Sequence, residues 1–263
     1  MNGRELSEAL RSGRRVYGTA ILSTSPYWPN AVRGSGLDYV FIDTEHVPIE
    51  RHQLAWMCQT YRAIGTAPLV RIPEPDPYQA CQVLDGGAEG VIAPYVETAE
   101  QVRALSGATK LRPLKGRRLR DALAGKADLE PELADYLATH NAGNVLVVNI
   151  ESVPAVEVLD DILAVPGLDA VLIGPHDLSC SLGVPEQYDH PRFEAAVQDI
   201  IRRARAAGVG AGFHYWAALK KEIVWAQAGA NLIVHSSDYS LFNDAIRRDL
   251  AELRTTLGDT HEP

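Results

Sequence analysis

Acidic residues follow three apolar runs of this sequence. The run YVFID leads into Glu45, VLVVNI is followed by Glu151, and AVLIG comes shortly before Asp177. An unpaired charge at the end of a buried strand is costly, so each of these acids needs a cation, a proton or a hydrogen-bond donor beside it. These three strand ends are therefore where the sequence indicates chemistry.

Glu151 and Asp177 lie about one strand-and-helix unit apart, so we expect them on neighbouring strands. Two carboxylates that converge there repel each other unless a cation lies between them. Hard oxygen ligands of this kind suit Mg²⁺ or Mn²⁺, with water completing the shell. The alternative, that both residues cap helices, remains open from the spacing alone.

A base and an anion-binding group are also in place. Asp43 precedes His46 by a short loop, and a carboxylate near an imidazole sets its tautomer and raises its basicity. Arg71 ends the run LVRIP, where an arginine needs an anion or carbonyl as partner. An ion pair with Asp43 or Glu45 is the structural alternative for Arg71. The turn 174–177 could offer free backbone N–H groups to a carboxylate or a phosphate.

The elements that position these residues alternate along the chain. Nearly continuous apolar runs indicate strands covered on both faces. Predicted strands occupy 16–22, 38–43, 68–72, 90–94, 145–150, 169–174, 209–213 and 231–235. Helical patterns occupy 49–64, 77–84, 98–105, 153–163, 191–207, 217–228 and 239–257. Eight predicted strands that alternate with helices predict an α/β fold of the (β/α)₈ TIM-barrel type. A doubly wound open sheet is less favoured, because no GxGxxG follows the first strand.

Composition narrows the class of protein. Of the 263 residues, 46% are hydrophobic, which is typical of a globular protein. The net charge of −9 argues against a nucleic-acid-binding surface. Three separated cysteines, no signal peptide and no membrane span predict a cytoplasmic protein. We expect one domain over 1–263 with an insertion at about 107–144, whose basic loop would lie at the C-terminal face of the barrel.

The segments FIDTEH, PLVRIP, VLDGGAEGVIAPYVETAEQVR, VLVVNIES and IGPHDLS together resemble the HpcH/HpaI aldolase family. These are metal-dependent class II pyruvate aldolases, such as the 4-hydroxy-2-oxoheptanedioate and 2-dehydro-3-deoxyglucarate aldolases. The resemblance runs from about residue 16 to residue 250. It implies a TIM barrel whose C-terminal helix is exchanged between subunits, in a dimer-based homo-oligomer that can be a hexamer.

The resemblance also implies roles for the residues already singled out. Glu151 and Asp177 would bind the divalent metal, Mg²⁺ or Mn²⁺, with Co²⁺ or Zn²⁺ as alternatives and no organic cofactor. His46 would be the base, supported by Asp43, and Arg71 would contact the keto or enolate oxygen.

Three further assignments follow from the same resemblance. The turn from Gly174 through His176 to Asp177 would hold the substrate carboxylate. Asp85 would reach a neighbouring subunit's active site, and Arg118 would belong to a loop at the pocket.

The implied reaction is aldol cleavage or condensation of a 4-hydroxy-2-oxo acid to pyruvate, or a related 2-oxo acid, and an aldehyde through a metal-stabilised enolate. Several positions depart from the family pattern: His176 replaces a small residue, Leu119 a glycine and Asn149 a glutamine. The sequence therefore indicates the pyruvate half of the reaction and leaves the aldehyde open. Two alternatives remain, a citrate-lyase-β or malyl-CoA-type lyase and a non-catalytic binding protein on the same barrel.

Overall fold

Eight parallel strands close into a barrel in the computed structural model, which describes residues 1–259; the last four residues of the predicted 1–263 domain lie outside it. The strands are β1 Val16–Ile21, β2 Tyr39–Asp43, β3 Ala67–Arg71, β4 Gly90–Ala93, β5 Val145–Ile150, β6 Ala170–Ile173, β7 Gly210–Tyr215 and β8 Leu232–Ser237. Each pairs with its neighbours in chain order, and β8 pairs with β1. The predicted (β/α)₈ barrel is confirmed.

Thirteen helices are found among the described residues. They are α1 Gly3–Ser12, α2 Trp28–Val32, α3 Arg51–Ala63, α4 Pro77–Asp85, α5 Ala99–Lys110, α6 Gly116–Leu123, α7 Pro131–His140, α8 Val153–Glu157, α9 Leu159–Leu163, α10 Pro175–Ser181, α11 Pro191–Ala206, α12 Leu219–Gln227 and α13 Asp238–Leu257. The helix predicted at 153–163 is divided into α8 and α9. No helix among residues 1–259 is long and apolar enough to cross a membrane.

Alternation along each strand separates two apolar layers. On β2, Phe41 belongs to the cluster inside the barrel and Ile42 to the cluster between strands and helices. Side chains two residues apart share a face, so Asp43 points the same way as Phe41. The same rule aligns Arg71 with Leu69 of the inner cluster. The strand pattern therefore delivers charged side chains to the C-terminal mouth of an apolar barrel.

Helix α1 closes the opposite end. Asn2 and Glu5 cap its first turn reciprocally, and Leu6 and Leu10 are fully buried in the inner cluster. The fully buried Asp169, just before β6, accepts hydrogen bonds from Ser7 (2.6 Å) and from other donors of this end. With the N-terminal end sealed in this way, the interior is reached from the C-terminal end.

The segment 107–144 lies at the sealed end, so its predicted position at the C-terminal face is wrong. Lys110 reaches Asp169 at 2.5 Å, and Asn144 Nδ2 donates to the carbonyl of Thr109 at 3.0 Å. Asn144 directly precedes β5. The physical reason is connectivity: this segment joins a helix to the following strand, and in a parallel barrel such connections lie at the N-terminal ends of the strands.

Candidate active site

A cavity of 590 Å³ opens at the C-terminal ends of the strands. Charged and polar groups from β2, β3, β5, β7 and β8, and from the segments that follow β2, β6 and β8, share it with apolar side chains. It is lined by Leu22, Phe41, Asp43, His46, Val47, Arg71, Asn149, Leu172, Ile173, Gly174, Pro175, His176, Asp177, His214, Trp216, Ser236, Ser237 and Ser240. Six of the residues predicted for the site, His46, Asp43, Arg71, Gly174, His176 and Asp177, are therefore brought together.

Arg71 is bound by two carboxylates. Its Nε and Nη2 donate to the two oxygens of Asp43 at 3.0 and 2.6 Å, and its Nη1 lies 3.0 Å from Glu45 Oε2. All three side chains are nearly buried. The guanidinium has five N–H groups, and these contacts engage three of them. Two N–H groups consequently remain for a ligand in the cavity.

The ion pair fixes the charges of its members. Burial opposes ionisation of Asp43, but the hydrogen bonds and charge of Arg71 outweigh it, so the pKa of Asp43 lies below its ordinary value. Burial likewise disfavours the cationic form of Arg71, and the hydrogen bonds and charge of Asp43 outweigh it and raise the pKa of Arg71. Arg71 therefore stays cationic and Asp43 anionic at neutral pH.

His46 lies on the loop after β2, and its side chain is 64% exposed. Asp43 accepts from the backbone N–H groups of Glu45 (3.0 Å) and His46 (3.4 Å). The expected contact between Asp43 and the imidazole is not what the structure has, because Arg71 engages both carboxylate oxygens. The carboxylate near the ring is Glu45, whose Oε2 lies 3.9 Å from His46 Nε2.

Glu151 is held in one orientation at the end of β5. The backbone N–H of Tyr95 donates to its Oε1 at 2.7 Å, and Asn149 Nδ2 donates to its Oε2 at 2.9 Å. Tyr95 has a φ of 55°, a left-handed conformation that is uncommon for a tyrosine and that accompanies this contact. Glu151 is 8% exposed, and burial raises its pKa although both donors favour the carboxylate.

Glu151 and Asp177 converge beside Gly174. A Cβ added to Gly174 would lie 2.8 Å from Glu151 Oε2 and 3.6 Å from Asp177 Oδ2. Any larger residue at this position would force the Glu151 side chain to shift. In addition, Glu45 Oε2 is buried, and apart from its ion pair with Arg71 Nη1 it has no hydrogen-bond partner among the described residues. Carboxylate oxygens around a small gap fit a hard divalent cation.

The described residues contain no group of three or more His, Cys, Asp and Glu side chains close enough to enclose a metal. A site with two protein carboxylates suits Mg²⁺, which dehydrates reluctantly and keeps several of its waters. The residues present thus fit an open metal site, where water and substrate oxygens would complete the shell.

The predicted residues not yet described lie at different places. His176 is half exposed, lines the cavity and comes within 3.5 Å of Glu186. Asp85 lies at the C-terminal end of α4, where it pairs with Arg112, and Arg118 pairs with Glu130 on the inserted segment. Neither Asp85 nor Arg118 lines the cavity of its own chain.

Sequence reasoning missed the β7 and β8 side of the cavity. His214, Trp216 and Ser236 line it, and none of them was singled out. The only sequence signal was His214, a polar residue in the run GAGFHY. It directly follows Phe213, so the two side chains point to opposite faces of the strand. Ser236 also has a φ of 54°, which no pattern in the sequence predicts.

Fold and site together define a (β/α)₈-barrel enzyme with a carboxylate-rich active site at the C-terminal strand ends. The chain belongs to the HpcH/HpaI aldolase/citrate lyase family, whose model matches residues 18–245. It is a metal-dependent aldolase and hence a carbon–carbon lyase. The resemblance noted in the sequence and the predicted class of enzyme are confirmed.

Relatives and solved structures resemble the chain over nearly its whole length. The 2-keto-3-deoxy-L-rhamnonate aldolase of Salmonella gallinarum is 36% identical over 250 residues, which cover 94% of this chain and 92% of the relative. An HpcH/HpaI aldolase from Desulfitobacterium hafniense superposes with a TM-score of 0.81 at 29% identity, covering 95% of this chain and 96% of that one. The citrate synthase SbnG has a TM-score of 0.82 at 29% identity, covering 97% and 99%.

Proposed function

We propose that this enzyme catalyses the reversible aldol cleavage of a 4-hydroxy-2-oxo acid into pyruvate, or a closely related 2-oxo acid, and an aldehyde. The observation that carries the proposal is the pairing of two groups around one cavity. Arg71 and Asp177 line the cavity, and the carboxylate of Asp177 converges with that of the buried Glu151 beside Gly174, which also lines it. A 2-oxo acid carries its carboxylate and keto oxygens on adjacent carbons. These oxygens match a site that combines a cationic side chain with a metal-binding pair of carboxylates.

Glu151 and Asp177 are the proposed metal ligands, with Mg²⁺ or Mn²⁺ as the preferred ions. When bound, a divalent cation stabilises negative charge on the keto oxygen as a Lewis acid. Tyr95 and Asn149 orient Glu151 through the two hydrogen bonds to its oxygens. The backbone N–H groups of His176 and Asp177 are proposed to hold the substrate carboxylate at the edge of the same cavity.

Arg71 is proposed to donate to the 2-keto oxygen, which becomes the enolate oxygen when the C3–C4 bond breaks. A guanidinium held in place by Asp43 and Glu45 needs no rearrangement as that charge develops. Its pKa stays high because those two carboxylates remain beside it. Arg71 therefore acts as a fixed electrostatic partner and does not transfer a proton.

His46 is proposed to take the proton of the 4-hydroxyl in cleavage, and C3 of the resulting enolate takes a proton from water to give pyruvate. Condensation reverses both proton transfers. The exposed imidazole of His46 at the cavity rim is free to accept a proton, directly or through water. The variant His46→Ala should bind metal and pyruvate but lose aldol turnover by about 10²-fold or more. Wild-type cleavage by His46→Ala would remove this assignment while leaving the enolate half of the mechanism intact.

A coenzyme A thioester is the less favoured substrate. The sequence offered the basic loop 110–120 as a site for its phosphates, and that loop lies at the opposite end of the barrel from the cavity of the same chain. The small-molecule aldol reaction needs no such group. An assay of cleavage with and without coenzyme A distinguishes the two substrates.

We also propose that the enzyme is a homodimer, or an assembly of dimers, with α13 exchanged between subunits. Exposed apolar side chains run along α13, among them Phe242, Leu253 and Leu257. A 490 Å³ groove lies outside β1 and β8 and exposes the apolar side chains of Tyr17 and Ile223. Apolar residues of an exchanged α13 could pack against such side chains. Light scattering of wild type and Leu253→Asp tests the proposal, since a charge on the exchanged face should yield monomers. Asp85 and Arg118 would then be available to a neighbouring active site.

The reaction is tested by offering pyruvate with a panel of aldehydes and either Mg²⁺ or Mn²⁺, and by determining the product masses. We expect adducts of pyruvate plus one aldehyde, formed only with metal. His176→Ala, measured in parallel, should change the ranking of the aldehydes if its imidazole contacts them. Absence of any adduct across small, polar and aromatic aldehydes would contradict the proposed reaction.

A further inference from the structure

His214 and Ser236 form a connected pair on the β7 and β8 side of the cavity. His214 lies opposite Val234 in the β7–β8 register, which brings Ser236 alongside it. The ring Nε2 of His214 lies 3.1 Å from the carbonyl oxygen of Ser236. A carbonyl only accepts, so Nε2 carries the ring proton. Burial, together with the nearby charge of Arg71, lowers the pKa of His214 to about 4, so the ring is neutral at neutral pH.

A neutral ring with its proton on Nε2 has a lone pair on Nδ1. No described residue hydrogen-bonds to Nδ1, and Nδ1 is not among the fully buried atoms without a partner. The atom is therefore accessible, and the cavity is the space that His214 lines. The same reasoning applies to Ser236 Oγ, although Ser236 as a residue is only 3% exposed.

Neighbouring aromatic rings fix the imidazole and locate it relative to Arg71. The ring of Phe41 lies 5.3 Å from that of His214, and the guanidinium of Arg71 lies 5.1 Å above the same Phe41 ring. On the other side, the Trp216 indole packs edge-on at 5.8 Å and is half exposed toward the cavity. The imidazole of His214 thus contacts the same Phe41 ring as the guanidinium proposed to bind the keto oxygen, and Trp216 borders the imidazole on the other side.

We propose that His214 Nδ1 and Ser236 Oγ form a specificity subsite that accepts an O–H from the aldehyde partner, so that hydroxylated aldehydes are preferred over their deoxy analogues. The inference rests on the proposed aldol reaction and specifies its second substrate. Pyruvate has no hydroxyl to offer these atoms, whereas a 2-hydroxyaldehyde does. An apolar aldehyde would cover Nδ1 and remove its water without replacing the lost hydrogen bond, and this penalty reduces its rate.

The test compares glycolaldehyde with acetaldehyde, which differ by one hydroxyl, in condensation with pyruvate and Mg²⁺. The measured quantity is the ratio of their kcat/KM values in each variant, divided by that ratio in wild type. This quotient cancels the intrinsic reactivity of the two aldehydes and any general loss of activity. His214→Leu should lower the ratio about 10- to 100-fold, the size expected for an unreplaced buried hydrogen bond. His214→Asn, which keeps an acceptor oxygen, should retain part of the preference.

His140→Leu is the matched control, since His140 is exposed on α7 at the sealed end of the barrel. Ser236→Ala gives an independent reading if His214→Leu does not fold, and it should also lower the ratio. An unchanged ratio in Ser236→Ala and in every folded His214 variant overturns the subsite. An equal loss with both aldehydes also overturns it, because the imidazole would then serve pyruvate or a common water. If wild type does not exchange the methyl protons of pyruvate, the proposed reaction itself has failed.

Discussion

Arg71 holds Asp43 by two hydrogen bonds, Nε to Oδ1 at 3.0 Å and Nη2 to Oδ2 at 2.6 Å, at the ends of adjacent strands. Both residues occupy the last position of their strand, and the β2–β3 register places them opposite each other. The pair thus follows directly from the barrel. It sets the direction of the guanidinium and leaves two N–H groups for the substrate.

Replacing the guanidinium by an ammonium separates charge from geometry. Arg71→Lys keeps the positive charge but cannot bind Asp43 through two parallel hydrogen bonds. We expect pyruvate methyl-proton exchange to slow by about 10²-fold or more, and stability to fall by about 3 kcal/mol because a buried carboxylate loses much of its pairing. Exchange by NMR and urea unfolding measure the two effects. Arg4→Lys, in an exposed pair with Glu8, should change neither.

Removing one carboxylate tests the metal site. Glu151→Gln preserves shape and loses a negative oxygen, so Mn²⁺ affinity should fall by about 100-fold or more, as measured by calorimetry or electron paramagnetic resonance. Glu157→Gln, at an exposed position on α8, is the control with the same change of charge. Equal affinity in the two variants would show that Glu151 is not a ligand.

Gly174 tests whether the space between the carboxylates matters. In Gly174→Ala the new Cβ would come 2.8 Å from Glu151 Oε2, so that carboxylate must move. We expect a folded protein with metal affinity reduced at least about 10-fold. Gly143→Ala is the matched control, because its Cβ would meet nothing closer than 3.9 Å. Wild-type affinity in Gly174→Ala would mean that the metal lies elsewhere.

His214 should contribute a defined part of the pH dependence of stability. Its pKa is about 4 in the folded protein, because burial disfavours the charged ring, and about 6.5 in the unfolded chain. The unfolded chain therefore binds the extra proton first. This stabilisation is fully present above pH ~6.5 and is lost as the pH falls toward 4, by up to about 3 kcal/mol. Urea unfolding at several pH values should show a shallower decline for His214→Leu than for His140→Leu; parallel declines would contradict the assignment.

The sequence predicted those features that depend on residues close together in the chain. Strands buried on both faces read as continuous apolar runs such as VLVVNI, and charged residues at the ends of such runs led directly to Glu151, Asp177 and Arg71. Arg71 was predicted either to form a structural ion pair or to bind a ligand. In the structure it pairs with Asp43 and also lines the cavity.

Features that depend on register or on distant contacts were out of reach. His214 is one polar residue in a strand, and only the closed barrel shows that it lies beside Phe41 and Ser236. Asp43 was predicted to be the partner of His46 because the two residues are close in sequence. In the structure Arg71 binds the Asp43 carboxylate instead. The inserted segment was assigned to the wrong end of the barrel because its basic residues were read before its connectivity.

The most direct test is the exchange of pyruvate methyl protons in D₂O by wild-type enzyme, followed by NMR without any aldehyde. Exchange requires only the enolate half of the reaction, which is the half that Arg71, Glu151 and Asp177 are proposed to support. We predict exchange with Mg²⁺ or Mn²⁺, its loss on chelation, and its recovery when metal is returned. Exchange that continues unchanged in the metal-free enzyme, or that fails with every divalent metal, would contradict the proposed mechanism.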